Sequence, residues 1–192
     1  MGLYFVRHGQ TDWNVLRKLQ GQTDIELNNH GIDEAKITKE KFKNIKIDYI
    51  YCSPLKRAIQ TAEIINELWD LEIYKEPNLI ERSFGDLEGT DVSTIDFNDI
   101  WKFNPDKNYP NLEDARSFYR RVDKFVFSIL KLACEANILI VAHGGVGIPV
   151  KALFENYCGD QNMTRFIIKN CEVLYFDETM IKKLLNQNKP LV

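Results

Sequence analysis

Two arginines and two histidines could together form a site for a phosphate group. They are Arg7, His8, Arg57 and His143, and each follows an apolar run that is typical of a buried strand. Arginine presents a planar fork of donors to phosphoryl oxygens and stays charged at any relevant pH. Its charge also disfavours a protonated imidazole nearby, which would keep His8 neutral and nucleophilic near pH 7. These residue types therefore indicate phosphoryl chemistry.

The shared position of these residues carries more weight than any one of them. A single histidine or arginine beside a glycine is more often an ordinary surface or turn residue. In open α/β sheets, however, ligands bind outside the carboxyl ends of the strands, beside helix N-termini that present free amide hydrogens. Unrelated solvated residues have no reason to follow three strands in this way, so their coincidence favours a common anion site.

Strand-like and helical patterns alternate along the chain, which predicts an α/β sheet with helices on its faces. Strands are expected at residues 3–6, 47–53, 138–142 and 172–177. Helices are expected at residues 33–42, 54–69, 113–135 and 147–154. Ser53 is the predicted N-cap of the second helix, with Pro54 at its first position. Residues 178–192 are weakly patterned and predict an edge strand and a tail.

The segment of residues 90–111 looks like an insertion on the substrate side. It carries two turn signals that contain proline, yet it also carries Phe97, Trp101 and Phe103. Such aromatic residues form either a satellite hydrophobic cluster or a lid that faces the substrate, and the cluster is favoured. We expect the segment to belong to a single domain that spans residues 1–192.

Composition limits the possible functions. The chain has 192 residues, 44% hydrophobic and 28% charged, as in ordinary globular proteins. A net charge of -3 gives no broad positive field for nucleic acid or an anionic membrane, so neither is expected as a partner. The four cysteines form no C-x-x-C pair, and the first apolar run is too short for a signal peptide or an anchor. We expect a cytoplasmic protein, whose oligomeric state the sequence does not give.

Five segments of the chain occur in the order of a known family. They read RHGQTDWN, LQGQTDIELNNHG, SPLKRAIQTA, LIERSFGDLEG and VAHGG. Together they resemble the histidine phosphatase superfamily, in the branch that contains the cofactor-dependent phosphoglycerate mutases and their phosphatase relatives. The resemblance covers most of residues 1–150 and implies a phosphoglycerate mutase-like α/β fold, a three-layer α/β/α sandwich with a mainly parallel central sheet. It also implies a reaction through phosphohistidine.

The resemblance implies roles for the clustered residues. By motif position His8 is the nucleophile, while Arg7, Arg57 and His143 hold the phosphoryl oxygens. Gly144 joins this phosphate-binding group. Positive donors around the equatorial oxygens are what in-line phosphoryl transfer needs. The arrangement requires no metal, and no cofactor is expected.

The departing oxygen needs a proton donor, and the resemblance assigns this role to Glu81. Partial burial and the phosphate dianion would raise its pKa, as a general acid requires. Glu88 is a rival on the residues alone, and the motif match favours Glu81. Asn14 is implied to add a further donor to the phosphate, and Gln20 and Gly21 are expected to line the pocket on the substrate side.

Hydrolysis is favoured over two alternatives, a phosphoglycerate mutase and a non-catalytic phospholigand-binding protein. A mutase must exclude water and hold a carboxylate-bearing product while it re-orients. Family mutases do this with a longer insertion and more basic residues than the stretch between Gly89 and His143 provides. Arg120 and Arg121 could suggest the mutases' arginine pair, but their place in an amphipathic helix favours a solvated face or a salt bridge.

The expected substrate is a small phosphorylated metabolite. Alpha-ribazole phosphate, sugar phosphates and phosphoglycerates are candidates, as is a broad range of phosphomonoesters. Phosphatase relatives often read P-x-G-E-S before the long helix, whereas this chain reads Pro110-Asn111-Leu112-Glu113-Asp114. We therefore expect any deviation from the family to concern the substrate side of the pocket rather than the phosphoryl site.

Overall fold

A computed structural model describes residues 1–157 and 163–186 and shows a five-stranded sheet between two layers of helices. The strands are β1 (Gly2–Arg7), β2 (Tyr49–Cys52), β3 (Ile73–Lys75), β4 (Asn137–Ala142) and β5 (Val173–Asp177). Their order across the sheet is β3-β2-β4-β1-β5. Only β5 runs antiparallel to its neighbour, and the other pairs are parallel. The predicted three-layer fold with a mainly parallel sheet is confirmed.

Helices cover both faces of this sheet. They are α1 (Asp12–Val15), α2 (Asn29–Lys41), α3 (Lys56–Asn66), α4 (Phe97–Ile100), α5 (Ala115–Ala133), α6 (Gly144–Phe154) and α7 (Glu178–Asn186). Helix α2 packs against α3, while α5 packs against α6 and α7. Four 3-10 helices lie at Pro77–Leu79, Gly85–Leu87, Val92–Thr94 and Met163–Phe166. In the part of the chain that the structure describes, no helix has the length and apolar character needed to cross a membrane.

Strand β4 shows why the middle of the sheet is so apolar. Leu139 and Val141 point into the core beneath α2 and α3, whereas Ile138 and Ile140 point into the core beneath α5 and α6. All four side chains are fully buried, as a continuous apolar run in a parallel sheet predicts. Because β4 pairs with β1 in parallel, the carboxyl ends of the two strands lie side by side. The residues that follow them therefore meet at one edge of the sheet.

The helix after β2 begins later than predicted. It starts at Lys56, and its N-cap is Leu55, which makes no side-chain capping bond. Ser53 is not the cap: its hydroxyl lies 2.6 Å from His143 Nε2, and the amide from which it accepts, at 3.4 Å, is that of Leu55, before the helix. Asp24 instead accepts a hydrogen bond of 2.8 Å from the Lys56 amide. The side chain that was expected to start a helix thus connects two strand ends.

Three further differences concern short or terminal elements. Helix α2 begins at Asn29, because the Asn28 side chain accepts from the amide of the third following residue. Strand β3 was not predicted, since three half-exposed or exposed residues give no strand pattern. Residues 178–186 form a helix rather than an edge strand, because Ile181 and Leu184 recur at helical spacing and are buried. The rest of the predicted tail, residues 187–192, lies outside the described residues.

Candidate active site

A cavity of about 140 Å³ opens at the carboxyl ends of β1 and β4. We call its seven polar side chains the polar lining: Arg7, His8, Asn14, Lys18, Gln20, Arg57 and Glu81. We call its six apolar side chains the apolar lining: Leu19, Phe84, Val92, Phe97, Trp101 and Ile167. The glycines at positions 21, 144 and 145 complete it. All nine predicted site residues except His143 line this cavity.

His8 directly follows β1, and its ring is held in one orientation. Its Nδ1 atom lies 2.7 Å from the Gly9 carbonyl oxygen. Because a carbonyl only accepts, the proton of a neutral ring must sit on Nδ1. The other nitrogen, Nε2, then has a lone pair, towards which Arg57 Nε donates at 3.3 Å. Burial, followed by the charges of Arg57 and Arg7, holds the pKa of His8 well below its ordinary value.

The two arginines are fixed by backbone carbonyls on their far sides. Arg57 Nη1 donates to Thr23 O at 2.9 Å, and Nη2 donates to Gly21 O at 2.7 Å. Burial lowers the pKa of Arg57 to about 10, so the side chain still carries its charge at neutral pH. Arg7 Nη1 donates to Ile168 O at 2.6 Å, while its buried Nε has no hydrogen-bond partner. Arg7 thus lines the cavity and has one buried donor that no group in the described part of the chain satisfies.

His143 lies beside His8 without lining the cavity. The centroids of the two rings are 5.2 Å apart. One nitrogen, Nε2, is 2.6 Å from the Ser53 hydroxyl, and Nδ1 is buried without a partner. Burial and the charge of Arg57 hold the pKa of His143 well below its ordinary value. The structure therefore brings His143 next to His8 but outside the cavity lining, while Gly144, the next residue, lines the cavity.

Glu81 faces the cavity with both carboxylate oxygens hydrogen-bonded. Oε1 accepts from the Arg82 amide at 2.8 Å, and Oε2 accepts from the Gly145 amide at 3.0 Å. Burial raises the pKa of Glu81, against the opposing effects of these bonds and of the arginines. A Cβ atom at position 145 would lie 2.2 Å from Oε1, so only glycine permits this approach. Glu81 is thus a carboxyl group that retains its proton to higher pH than an exposed glutamate.

Glu88, the rival carboxylate, lies outside the cavity lining. Its Oε1 accepts from the amides of Gln22 and Phe84, and its Oε2 accepts from the Thr23 amide and hydroxyl. With four donors, the carboxylate holds two loops together. The geometry therefore favours Glu81 for any role in the cavity.

Asn14 is oriented by a residue that the sequence did not single out. Its Oδ1 accepts from the Thr11 amide at 3.0 Å and from Asn170 Nδ2 at 3.4 Å, so the Nδ2 hydrogens remain for a ligand. Asn170 also donates to the His8 carbonyl at 2.9 Å. Asn170 belongs to no motif, and its one sequence signal is a polar residue shortly before the last predicted strand.

Gln20 and Gly21, in the loop after β1, line the cavity, and their substrate-side role stays a prediction. Gln20 is buried, and its Oε1 has no hydrogen-bond partner. Gly21 has a φ of 54° and turns its carbonyl towards Arg57. The loop thus supports an arginine with its backbone and presents an acceptor with its side chain.

The segment of residues 90–111 packs on the core, as the favoured alternative predicts, and it also reaches the cavity. Ile100 and Trp101 are buried in the main hydrophobic core. Val92, Phe97 and the same Trp101 also line the cavity. A cluster joined to the core therefore forms one side of the candidate site.

The departure from the P-x-G-E-S pattern lies away from this cavity. Glu113 pairs with Arg121, with Oε1 2.8 Å from Nε, which confirms the predicted salt bridge for that arginine. Asp114 caps α5 by accepting from the Ser117 amide at 2.8 Å. Neither acidic side chain lines the cavity. The pattern's glutamate is kept as Glu113, and the two residues that depart from the pattern, Leu112 and Asp114, lie outside the cavity lining. Their expected effect on the substrate side of the pocket stays a prediction.

This set of groups is suited to phosphoryl transfer. It combines a neutral imidazole with a directed lone pair, two guanidinium groups and a carboxyl group with a raised pKa. Helix α6 starts at the same edge with its N-terminal amides, which favour an anion. Within residues 1–157 and 163–186, no three His, Cys, Asp or Glu side chains converge as a metal site.

Known proteins are similar to this chain in sequence and in fold. The family model described as histidine phosphatase superfamily (branch 1) matches residues 3–183. The chain is 42% identical over 139 residues to uncharacterized phosphatase PhoE of Bacillus subtilis, which covers 72% of this chain and 69% of that protein. It is 34% identical over 183 residues to probable phosphoglycerate mutase GpmB of Proteus mirabilis, with 91% and 84% covered. Phosphoserine phosphatase from Entamoeba histolytica, solved in complex with 3-phosphoglyceric acid, superposes with a TM-score of 0.79 at 27% identity, with 92% and 90% covered.

Proposed function

The chain belongs to branch 1 of the histidine phosphatase superfamily, and on that premise we propose that it hydrolyses a small phosphomonoester through a phosphohistidine on His8. One observation carries the proposal. The Gly9 carbonyl fixes the proton on Nδ1, so the lone pair of Nε2 faces the charged guanidinium of Arg57. An uncharged imidazole beside buried positive charge is a nucleophile placed where a phosphoryl group would bind.

The proposed first step transfers the phosphoryl group to the enzyme. The Nε2 lone pair of His8 attacks phosphorus, the N–P bond forms, and the ester P–O bond breaks. Glu81 gives its proton to the departing oxygen, so that a neutral alcohol leaves. Arg7, Arg57 and Asn14 donate to the equatorial oxygens, where negative charge is spread in the transition state. His143 is proposed as a further oxygen ligand through its unpartnered Nδ1.

The second step returns the enzyme to its starting state. The ionised Glu81 takes a proton from water, whose oxygen attacks phosphorus as the N–P bond breaks. Inorganic phosphate leaves, and His8 Nε2 regains its lone pair. The carboxyl thus acts first as an acid and then as a base, and its raised pKa suits both steps better than that of an exposed glutamate.

The cavity lining favours a phosphatase over a mutase. Beyond the two arginines, Lys18 is the one cation among the described residues that line it, and this lysine is exposed. A mutase must retain a carboxylate-bearing intermediate and exclude water, which calls for additional cations. Mutase activity is the second candidate, because the relative named probable phosphoglycerate mutase matches along 91% of the chain. Candidate substrates are alpha-ribazole phosphate, sugar phosphates and phosphoglycerates, or a broad range of phosphomonoesters.

A panel of phosphorylated metabolites with EDTA present tests this proposal, alongside an assay for conversion of 3- to 2-phosphoglycerate. We expect hydrolysis without isomerisation, and acid-labile phosphate trapped on the protein. The His8→Ala variant should lose both hydrolysis and the trapped phosphate. His30→Ala is the matched control, because the His30 side chain is 66% exposed and lies outside the cavity lining. Isomerisation would favour the mutase, and ligand binding without turnover would favour a phospholigand-binding protein.

A further inference from the structure

The carboxyl of Glu81 lies on a stretch without regular secondary structure, so its direction depends on other contacts. Residues 80–84 connect the 3-10 helices Pro77–Leu79 and Gly85–Leu87, and they join no strand. One carboxylate oxygen is bound by the next amide in the chain, from Arg82. The Gly145 amide of α6 holds the other oxygen, and the position of the carboxyl otherwise depends on this piece of backbone.

Arg121, near the middle of α5, binds this stretch from outside the cavity. Its Nη1 donates to Asn78 O at 2.8 Å and to Ile80 O at 2.7 Å. Its Nη2 donates to Glu81 O at 3.1 Å. The remaining two hydrogens go from Nε and Nη2 to the Glu113 carboxylate, at 2.8 and 3.1 Å. All five N–H groups of the guanidinium are thereby used.

Glu113 binds the backbone that follows Glu81. Its Oε2 accepts from the Ser83 amide at 3.0 Å, and its own amide donates to Ser83 O at 2.9 Å. The ion pair thus binds the chain both before and after Glu81. It is anchored on α5, which is rigidly seated because Phe118 and Val122 are fully buried in the core.

We propose that Arg121, supported by Glu113, is a positioning residue that fixes the backbone on both sides of Glu81 and so aims its carboxyl at the leaving oxygen. This inference rests on the proposed function. Arg121 does not line the cavity and so does not contact the substrate. The proposed effect on the rate arises through the position of Glu81, since a displacement of about 1 Å in a reacting group can cost on the order of 10²-fold.

Arg121→Lys tests the proposal, because a lysine keeps the charge but cannot reach five acceptors from one nitrogen. Arg120→Lys is the matched control, since Arg120 is the exposed neighbour on the same helix. The rates to measure are those with an alkyl phosphate, whose leaving group needs a proton, and with p-nitrophenyl phosphate, whose leaving group does not. For Arg121→Lys we expect kcat to fall about 10- to 100-fold with the alkyl ester and by less than about threefold with the nitrophenyl ester. Equal losses with both esters would overturn the proposal.

A double mutant separates positioning from a general loss of structure. In a Glu81→Gln background, Arg121→Lys should change the alkyl phosphate rate by less than about twofold, because the group it positions is already gone. An undiminished second loss would overturn the proposal. If Arg121→Lys does not fold, Glu113→Gln decides the question in the same assays. Failure of the wild type to hydrolyse either ester would instead contradict the proposed function.

Discussion

The polar and the apolar lining of the cavity are built in different ways. Arg7 and His8 lie at the carboxyl end of β1 and Arg57 lies in the first turn of α3, so these three polar side chains stand at the ends of long regular elements. The apolar lining comes from irregular chain. Val92 lies in a 3-10 helix, Phe97 in a helix of four residues, and Ile167 directly after another 3-10 helix.

This contrast follows from the forces that each lining exerts. Charged and hydrogen-bonding groups act only at defined distances and angles, so they need rigid supports. Apolar contact is non-directional and depends on the area removed from water, so irregular backbone can provide it. We therefore expect changes in the polar lining to affect the chemical step with every substrate. Changes in the apolar lining should affect which substrates are held.

Glu81→Gln should produce the largest effect among the tests of this contrast. With an alkyl phosphate we expect kcat to fall on the order of 10²- to 10⁴-fold, because the leaving oxygen then has no proton donor. With p-nitrophenyl phosphate the loss should be far smaller. Steady-state rates with both esters provide the measurement, and equal losses would argue against Glu81 as the acid.

The wild type and the Glu81→Gln variant can also be compared in their pH dependence of the rate. Burial raises the pKa of Glu81, so the acid form should persist to higher pH than that of an ordinary glutamate. The wild-type rate with an alkyl ester should then fall as pH rises through this raised pKa, where the proton is lost. The Gln variant should lack that decrease, and a profile that retains it would assign the titration to another group.

Arg57→Lys should have the next largest effect, about 10²-fold in kcat with every substrate, because a point charge cannot replace a forked donor. Lysine could not keep the contacts to Thr23, Gly21 and His8 at once. Lys56→Arg is the control, since that side chain is exposed at the neighbouring position. Wild-type kinetics for Arg57→Lys would remove Arg57 from the proposed set of phosphate ligands.

Phe97→Ala should have the smallest effect and a different signature. We expect KM for an aryl phosphate to rise about three- to tenfold, with kcat nearly unchanged, because only apolar contact with the leaving group is lost. Phe103→Ala serves as a control in the same segment, since Phe103 lies outside the lining. A drop in kcat with unchanged KM would place Phe97 with the polar lining and so break the contrast.

The two linings also differ in how far the sequence predicts them. Arg7, His8 and Arg57 follow predicted strands, which made their meeting foreseeable, whereas the family resemblance alone assigned Glu81 to the same site. Ile167 lines the cavity, and Asn170 contacts His8 and Asn14. Both positions depend on the path of the chain before β5, which no local sequence pattern predicts.

The starts of helices were a second feature that the sequence did not predict correctly. The side chain that a local rule assigns to an N-cap can form a tertiary contact instead. Ser53 fits the rule for an N-cap, yet its hydroxyl bonds to His143 across the sheet. The absence of His143 from the cavity lining was likewise beyond the motif, since a motif gives sequence neighbours and not depth in the structure. The α/β class and the long central helices followed from periodicity alone.

The place of β1 in the sheet has a consequence for how the protein is made. This strand pairs only with β4 and β5, which are synthesised long after it. The carbonyl of His8 accepts its bond from Asn170, a residue 162 positions later in the chain. A nascent chain that ends before Asn137 therefore carries His8, the proposed nucleophile, but neither of the strands that flank β1. Almost the whole domain must therefore be synthesised before this first motif can reach its folded position.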